Sequence, residues 1–175
     1  MIRPGQLLDF IIRPTLDYMA DVSNLPLNSD AAANLLLGTA AAETKLGTYI
    51  YQHPAGPALG IYQIEPRTFT DMMEWIERSP PLMSTISPFM CSKPFPTTRQ
   101  IIGNLYLATA ASRLYYWRVS APMPRSDDLQ GLAGYWKKWY NTALGRGTVD
   151  HFIQCWIECG LDKAMPRKES PTLQA

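Results

Sequence analysis

Residues 30–47 read DAAANLLLGTAAAETKLG, and this stretch decides the fold. Asn28, Ser29 and Asp30 stand before it, residue types that satisfy the free N–H groups of a helix start. The Ala- and Leu-rich run that follows predicts a helix to Leu46, with Gly47 at the left-handed position that commonly ends one. Glu43 follows Leu36, Thr39 and Ala40 by seven, four and three positions. It therefore shares a face with Leu36 and Ala40, which should point inward. An acid on an apolar face is poorly solvated, and desolvation raises a carboxyl pKa. The negative partial charge at a helix C-terminus acts in the same direction. A carboxylic acid kept protonated near neutral pH suits donation to a glycosidic oxygen. Taken alone, the element reads more simply as a partly exposed Glu at a helix end, paired with Lys45 or a neighbour.

Helical signals dominate outward from this stretch. A first helix is expected over about Gly5 to Tyr18. Between Thr48 and Ile64, two Gly and two Pro accompany the short β-prone pieces 49–51 and 60–62, which predicts a loop or small hairpin. Pro66 can open a helix to about Arg78. Ser79 to Pro96 is dense in proline and is expected to be non-helical. Further helices are expected over Arg99 to Val119, Asp128 to Tyr140 and, capped by Thr148, to Glu158, with a turn at Gly145 to Gly147. Residues 166–175 read as a flexible C-terminal tail. No repeat or linker divides the chain, so the expectation is a mostly α single domain over 1–165, of about six helices.

Glu43-Thr44-Lys45-Leu46-Gly47, followed by Gly60-Ile61-Tyr62-Gln63-Ile64-Glu65-Pro66 and Thr68, resembles the first two motifs of the soluble lytic transglycosylase and goose-type lysozyme family. Residues Asn104 through Tyr116 resemble that family's long central helix. Leu132 to Trp136 and Trp139-Tyr140-Asn141-Thr142 resemble its third motif. The order and rough spacing agree from about Asp30 to Phe152, some two thirds of the chain. The resemblance implies a lysozyme-like fold, with Glu43 as the single catalytic acid. It also implies that the Tyr140 hydroxyl contacts that acid, that Asn141 neighbours it at the cleft, and that Gly60, Ile61, Tyr62 and Gln63 line the sugar subsites. Where the family commonly has Ala-Gly, this chain has Thr142-Ala143, and Tyr62 and Glu65 stand where apolar aliphatic residues are common.

The reaction so implied is cleavage of the MurNAc–GlcNAc bond of peptidoglycan, ending in a 1,6-anhydro sugar. Glu43 would act first as acid and then as base, without a cofactor. Glu65 reads as an acid favoured by a helix N-terminal dipole rather than as a second catalytic carboxylate. Among the aromatic residues, Tyr62 is expected at the cleft, and Trp136 and Trp139 in the core. Two alternatives stay open: a hydrolase on the same scaffold, and a wall-binding protein that has lost catalysis.

Composition sets bounds on this reading. The chain has 175 residues, 46% of them hydrophobic and 18% charged, a globular profile. Sixteen basic against fifteen acidic residues argue against a dedicated nucleic-acid binder. No apolar run reaches the roughly 20 residues needed to span a bilayer, and Arg3, Asp9, Arg13 and Asp17 interrupt the N-terminal apolar stretch, unlike a signal peptide. These features predict synthesis in the cytoplasm and action on the bacterial wall, as a phage endolysin or as a particle component beside other phage proteins. Cys91, Cys155 and Cys159 are too few and too uneven for a disulfide framework. His151, Cys155 and Cys159 share a helical face, but without a fourth ligand they read as core thiols rather than a zinc site.

Overall fold

A computed structural model describes residues 1–52, 56–91, 97–142 and 145–164. The chain is mostly helical, and no strand forms among the described residues. No helix among them is long and apolar enough to cross a membrane.

The first helical run starts earlier and ends later than the sequence predicts. Helix α1 (Pro4–Leu7) passes through a π-helical turn (Leu8–Ile12) into α2 (Arg13–Ser23). Proline accounts for the change of register. Pro14 has no N–H for the carbonyl of Phe10, and its ring crowds that carbonyl. The Phe10 carbonyl instead accepts a hydrogen bond from the Tyr106 hydroxyl at 3.3 Å.

Helix α3 (Asp30–Thr44) is the central post. The Ser29 hydroxyl caps it by accepting the Ala32 N–H at 3.1 Å, and every residue from Ala32 to Ala42 is buried. A helix apolar all round belongs in the middle of a core. Gly38 permits a close contact with α9, because a Cβ there would lie 2.2 Å from the Phe152 ring. The helix ends at Thr44, two residues short of the expected Leu46. Lys45, Leu46 and Gly47 all take left-handed backbone angles, with φ of 49°, 55° and 76°.

Two isolated antiparallel bridges, Tyr51 with Leu59 and Leu59 with Ile64, order the loop that follows. Helix α4 (Pro66–Ile76) then begins at the expected proline. The proline-rich segment departs from expectation, since residues Pro80–Ile86 form helix α5. Pro80 and Pro81 occupy its first two positions, where a missing N–H costs nothing. The predicted helix from Arg99 to Val119 is broken. Helix α6 (Thr97–Gln100) stops, and α7 (Leu105–Trp117) starts afresh behind Asn104. The Asn104 side chain accepts the Leu107 N–H at 3.0 Å and donates to the Phe89 carbonyl at 2.7 Å, which fixes the break.

Helix α8 (Leu129–Trp136) runs into a second π-helical turn (Lys137–Asn141), so the expected helix to Tyr140 is present with its last turn widened. Helix α9 (Val149–Glu158) starts at its Thr148 cap. Helices α7, α8 and α9 pack around α3, and one buried cluster runs through them all. His53, Ala143 and the expected tail over 166–175 lie outside the described residues.

Candidate active site

Hydrogen bonds at three consecutive residues fix the end of α3, and the first two use carbonyls that the helix itself leaves free. The Ala42 carbonyl meets His151 Nε2 at 3.0 Å; a carbonyl only accepts, so Nε2 carries the hydrogen. The Glu43 carbonyl accepts the Tyr49 hydroxyl at 2.5 Å. Thr44 ties the helix to the next motif, its hydroxyl donating to the Ile61 carbonyl at 2.8 Å and accepting the Gly47 N–H at 2.9 Å. The Glu-Thr-Lys-Leu-Gly and Gly-Ile-Tyr-Gln segments are thus one unit in space.

The Gly60–Gln63 turn has a steric reason for its glycine. Gly60 has φ of +72°, and a Cβ there would lie 2.2 Å from the Ile101 carbonyl oxygen. Gln63 closes the turn, donating from Nε2 to the Gly60 carbonyl at 2.8 Å. Of the four residues, Gln63 presents its side chain to the cleft. Ile61 is buried. The Tyr62 ring, expected at the cleft, is instead fully buried, with its hydroxyl 3.1 Å from that of Thr109. The turn directs the ring inward, and the Tyr62 carbonyl accepts the Tyr140 hydroxyl at 2.8 Å.

The cleft between these segments has a volume of about 880 Å³, within the range of ligand-binding pockets. Glu43, Gln63, Glu65, Tyr140, Asn141 and Arg146 line it, with Tyr49, Trp136 and His151 around the acid. Burial pushes the Glu43 carboxyl up from 4.5 to about 7, partly offset by a hydrogen bond from Trp136. The indole Nε1–H donates to Glu43 Oε1 at 3.0 Å. Oε2 has no hydrogen-bond partner among the described residues, so it is the oxygen able to hold a proton toward the cleft.

Tyr140 lines the same cleft as Glu43. Its hydroxyl bonds to the Tyr62 carbonyl and lies 3.4 Å from the Ser112 hydroxyl, and no hydrogen bond joins it to Glu43 among the described residues. Burial, with the nearby Glu43 charge, raises its pKa well above the ordinary value. A phenol so placed stays neutral. Asn141 lies at the cleft as implied, its Oδ1 accepting from Lys137 Nζ at 2.9 Å.

Trp136 holds the hydrogen bond to the acid, a role that sequence reading did not give it. The core expectation for Trp136 also holds, since it is buried against Phe152 with ring centroids 5.4 Å apart. Its position four residues before Tyr140 was the available signal. Trp139 is only half-buried, with Lys138 Nζ 4.7 Å from its ring centre. Cys155 and Cys159 are buried and Cys91 exposed, and the Cys155 sulfur lies 3.5 Å from His151 Nε2.

The arrangement therefore offers one acid protonated near neutral pH, fixed at one oxygen and open at the other, in a cleft lined with amides, hydroxyls and aromatic rings. Comparison of the chain with protein-family models, with curated proteins and with solved structures returns no match.

Proposed function

We propose that the protein cleaves the glycan strands of peptidoglycan between MurNAc and GlcNAc, on a lysozyme-like scaffold and by lytic transglycosylation. The observation that carries this reading is Glu43 in the cleft, its pKa raised to about 7 and its Oε1 held by Trp136. The motif order supports it, since the three segments that resemble the lytic transglycosylase family meet around this one acid.

In the reaction, Glu43 Oε2 gives its proton to the glycosidic oxygen as the C1–O bond breaks. Positive charge develops on the sugar ring, and the carboxylate left behind stabilises it. The 6-hydroxyl of the same sugar then attacks C1, and Glu43 takes the hydroxyl proton. The acid returns to its starting state, and the new end is a 1,6-anhydro sugar. No water is consumed.

A second reading rests on Glu65, an exposed acid on the same cleft. If Glu65 activates a water on the opposite sugar face, the outcome is hydrolysis, as in glycosidases that use two carboxylates. Mass analysis of products from purified cell walls separates the two. Transglycosylation leaves ends lighter by one water than hydrolysis does, and incorporation of labelled oxygen from solvent would establish the hydrolytic outcome.

A further inference from the structure

A second cavity, a groove of about 1120 Å³, shares a loop with the cleft. Tyr49, Gln52 and Ala58 line the cleft, whereas Ile50, Tyr51 and Leu59 line the groove, so neighbouring residues of one loop serve the two cavities. Pro66, at the start of α4, and Ile102, after α6, complete its apolar wall. That wall is not hidden from water: Ile50 is 42% exposed and Tyr51 53%. Backbone contacts hold both in place, the Gly60 N–H donating to the Ile50 carbonyl at 2.8 Å and Tyr51 bridging to Leu59. Adjacent apolar side chains kept in water on a fixed backbone, beside a cavity, mark a surface that a ligand covers.

The two side-chain amides of the groove are engaged within the protein. Gln100 clasps the Cys91 backbone, donating to its carbonyl at 2.6 Å and accepting its N–H at 2.7 Å. Asn104 caps α7 and holds the Phe89 carbonyl. Arg99 differs from both. It is exposed, and it is the one charged residue in the described lining. None of the ion pairs among the described residues involves it. An apolar groove with one unpaired cation and no acid in its described lining attracts a negative head group and repels a positive one.

We infer that this groove binds a single-chain anionic amphiphile. Its hydrocarbon chain lies along Ile50, Tyr51, Leu59 and Ile102, and its head group meets the Arg99 guanidinium. Burial of the chain supplies affinity in proportion to the apolar area covered. The guanidinium selects the head, because it offers two parallel N–H donors to a carboxylate or a phosphate. The loop bridges and the Gln100 clasp fix the walls in advance, so little order is lost on binding. A sugar has neither the chain nor the charge, so the groove is no extension of the cleft. The inference stands apart from glycan cleavage, since nothing in it uses Glu43.

The test is calorimetric titration of wild type, Arg99→Gln and Tyr51→Ser with decanoate, decanol and decyltrimethylammonium, each below its micelle concentration. Both substituted residues are exposed, so both variants should melt like wild type. Wild type is expected to bind decanoate most tightly and decyltrimethylammonium least. Arg99→Gln should lose about tenfold in decanoate affinity, equivalent to about 1.4 kcal/mol, with decanol unchanged. Tyr51→Ser should weaken decanoate and decanol alike. Co-sedimentation with phosphatidylglycerol vesicles then distinguishes the source of the chain. Vesicle binding that both substitutions weaken assigns it to a membrane, and decanoate binding alone assigns it to a free acid. Equal affinity for the three head groups, decanoate affinity unmoved by Arg99→Gln or by Tyr51→Ser, or vesicle binding without decanoate binding overturns the inference, as does no binding at all. Wild type that binds decanoate but releases no peptidoglycan fragments removes the glycan-cleaving reading and leaves this site standing.

Discussion

Two influences set the proton affinity of Glu43: burial raises it, and the indole N–H of Trp136, which favours the charged form, lowers it. As a general acid it must be protonated, so activity is expected to fall as pH rises through about 7. Trp136→Phe removes the donor and keeps most of the packing against Phe152. The alkaline limb of the rate profile should then move upward, by at most about one pH unit for the loss of one hydrogen bond. With the carboxyl less firmly oriented, kcat should also fall about tenfold. A pH–rate profile of the variant measures both, and an unmoved limb would mean that the indole does not tune the acid. At this scale Glu43 was legible from its place on an apolar helix face. The inward turn of Tyr62 was not, because a short turn between glycines has no periodicity to tell which way a ring points. The Tyr62 carbonyl, rather than its ring, turned out to meet Tyr140.

Capping residues carried the legible elements. Ser29, Pro66 and Thr148 marked the starts of α3, α4 and α9 because each acts within one turn of chain. Pro80 and Pro81 misled because proline breaks a helix interior but opens a helix at its first positions. The break before α7 depends on Asn104 reaching Phe89, fifteen residues away, and the Phe10 carbonyl that Pro14 leaves free is met by Tyr106, 96 residues away. Such partners are invisible in a local window. The contact of α3 with α9 was equally hidden, yet it sets the position of His151 under the Ala42 carbonyl. Gly38→Ala tests it. Alanine favours a helix over glycine by about 1 kcal/mol, but its methyl would meet the Phe152 ring at 2.2 Å. Overpacking in a buried seam costs about 1–3 kcal/mol, so denaturant unfolding should show a net loss of stability. A gain would mean that the seam is loose.

For the molecule as a whole, holding Glu43 in the cleft has a stability cost that depends on pH. The folded chain binds this proton more tightly than the unfolded chain, with a pKa of about 7 against an ordinary 4.5. The stabilisation is therefore complete below about 4.5 and is lost as pH rises to about 7. A shift of this size corresponds to about 3 kcal/mol. Glu43→Gln, which never ionises, should match wild type near pH 4 and exceed it in melting temperature at pH 8, a trade of stability against function seen at many active sites. Equal melting temperatures at both pH values would place the carboxylate in water.

The same variant tests the central claim. The release of soluble fragments from purified peptidoglycan by wild type and Glu43→Gln, compared near pH 6 where the acid is protonated, is the most direct measurement. Loss of a general acid typically costs 10²–10⁴-fold, so wild type should release fragments while the variant falls by about a thousandfold and remains folded. Equal release by the two proteins would contradict the assignment of Glu43 as the acid.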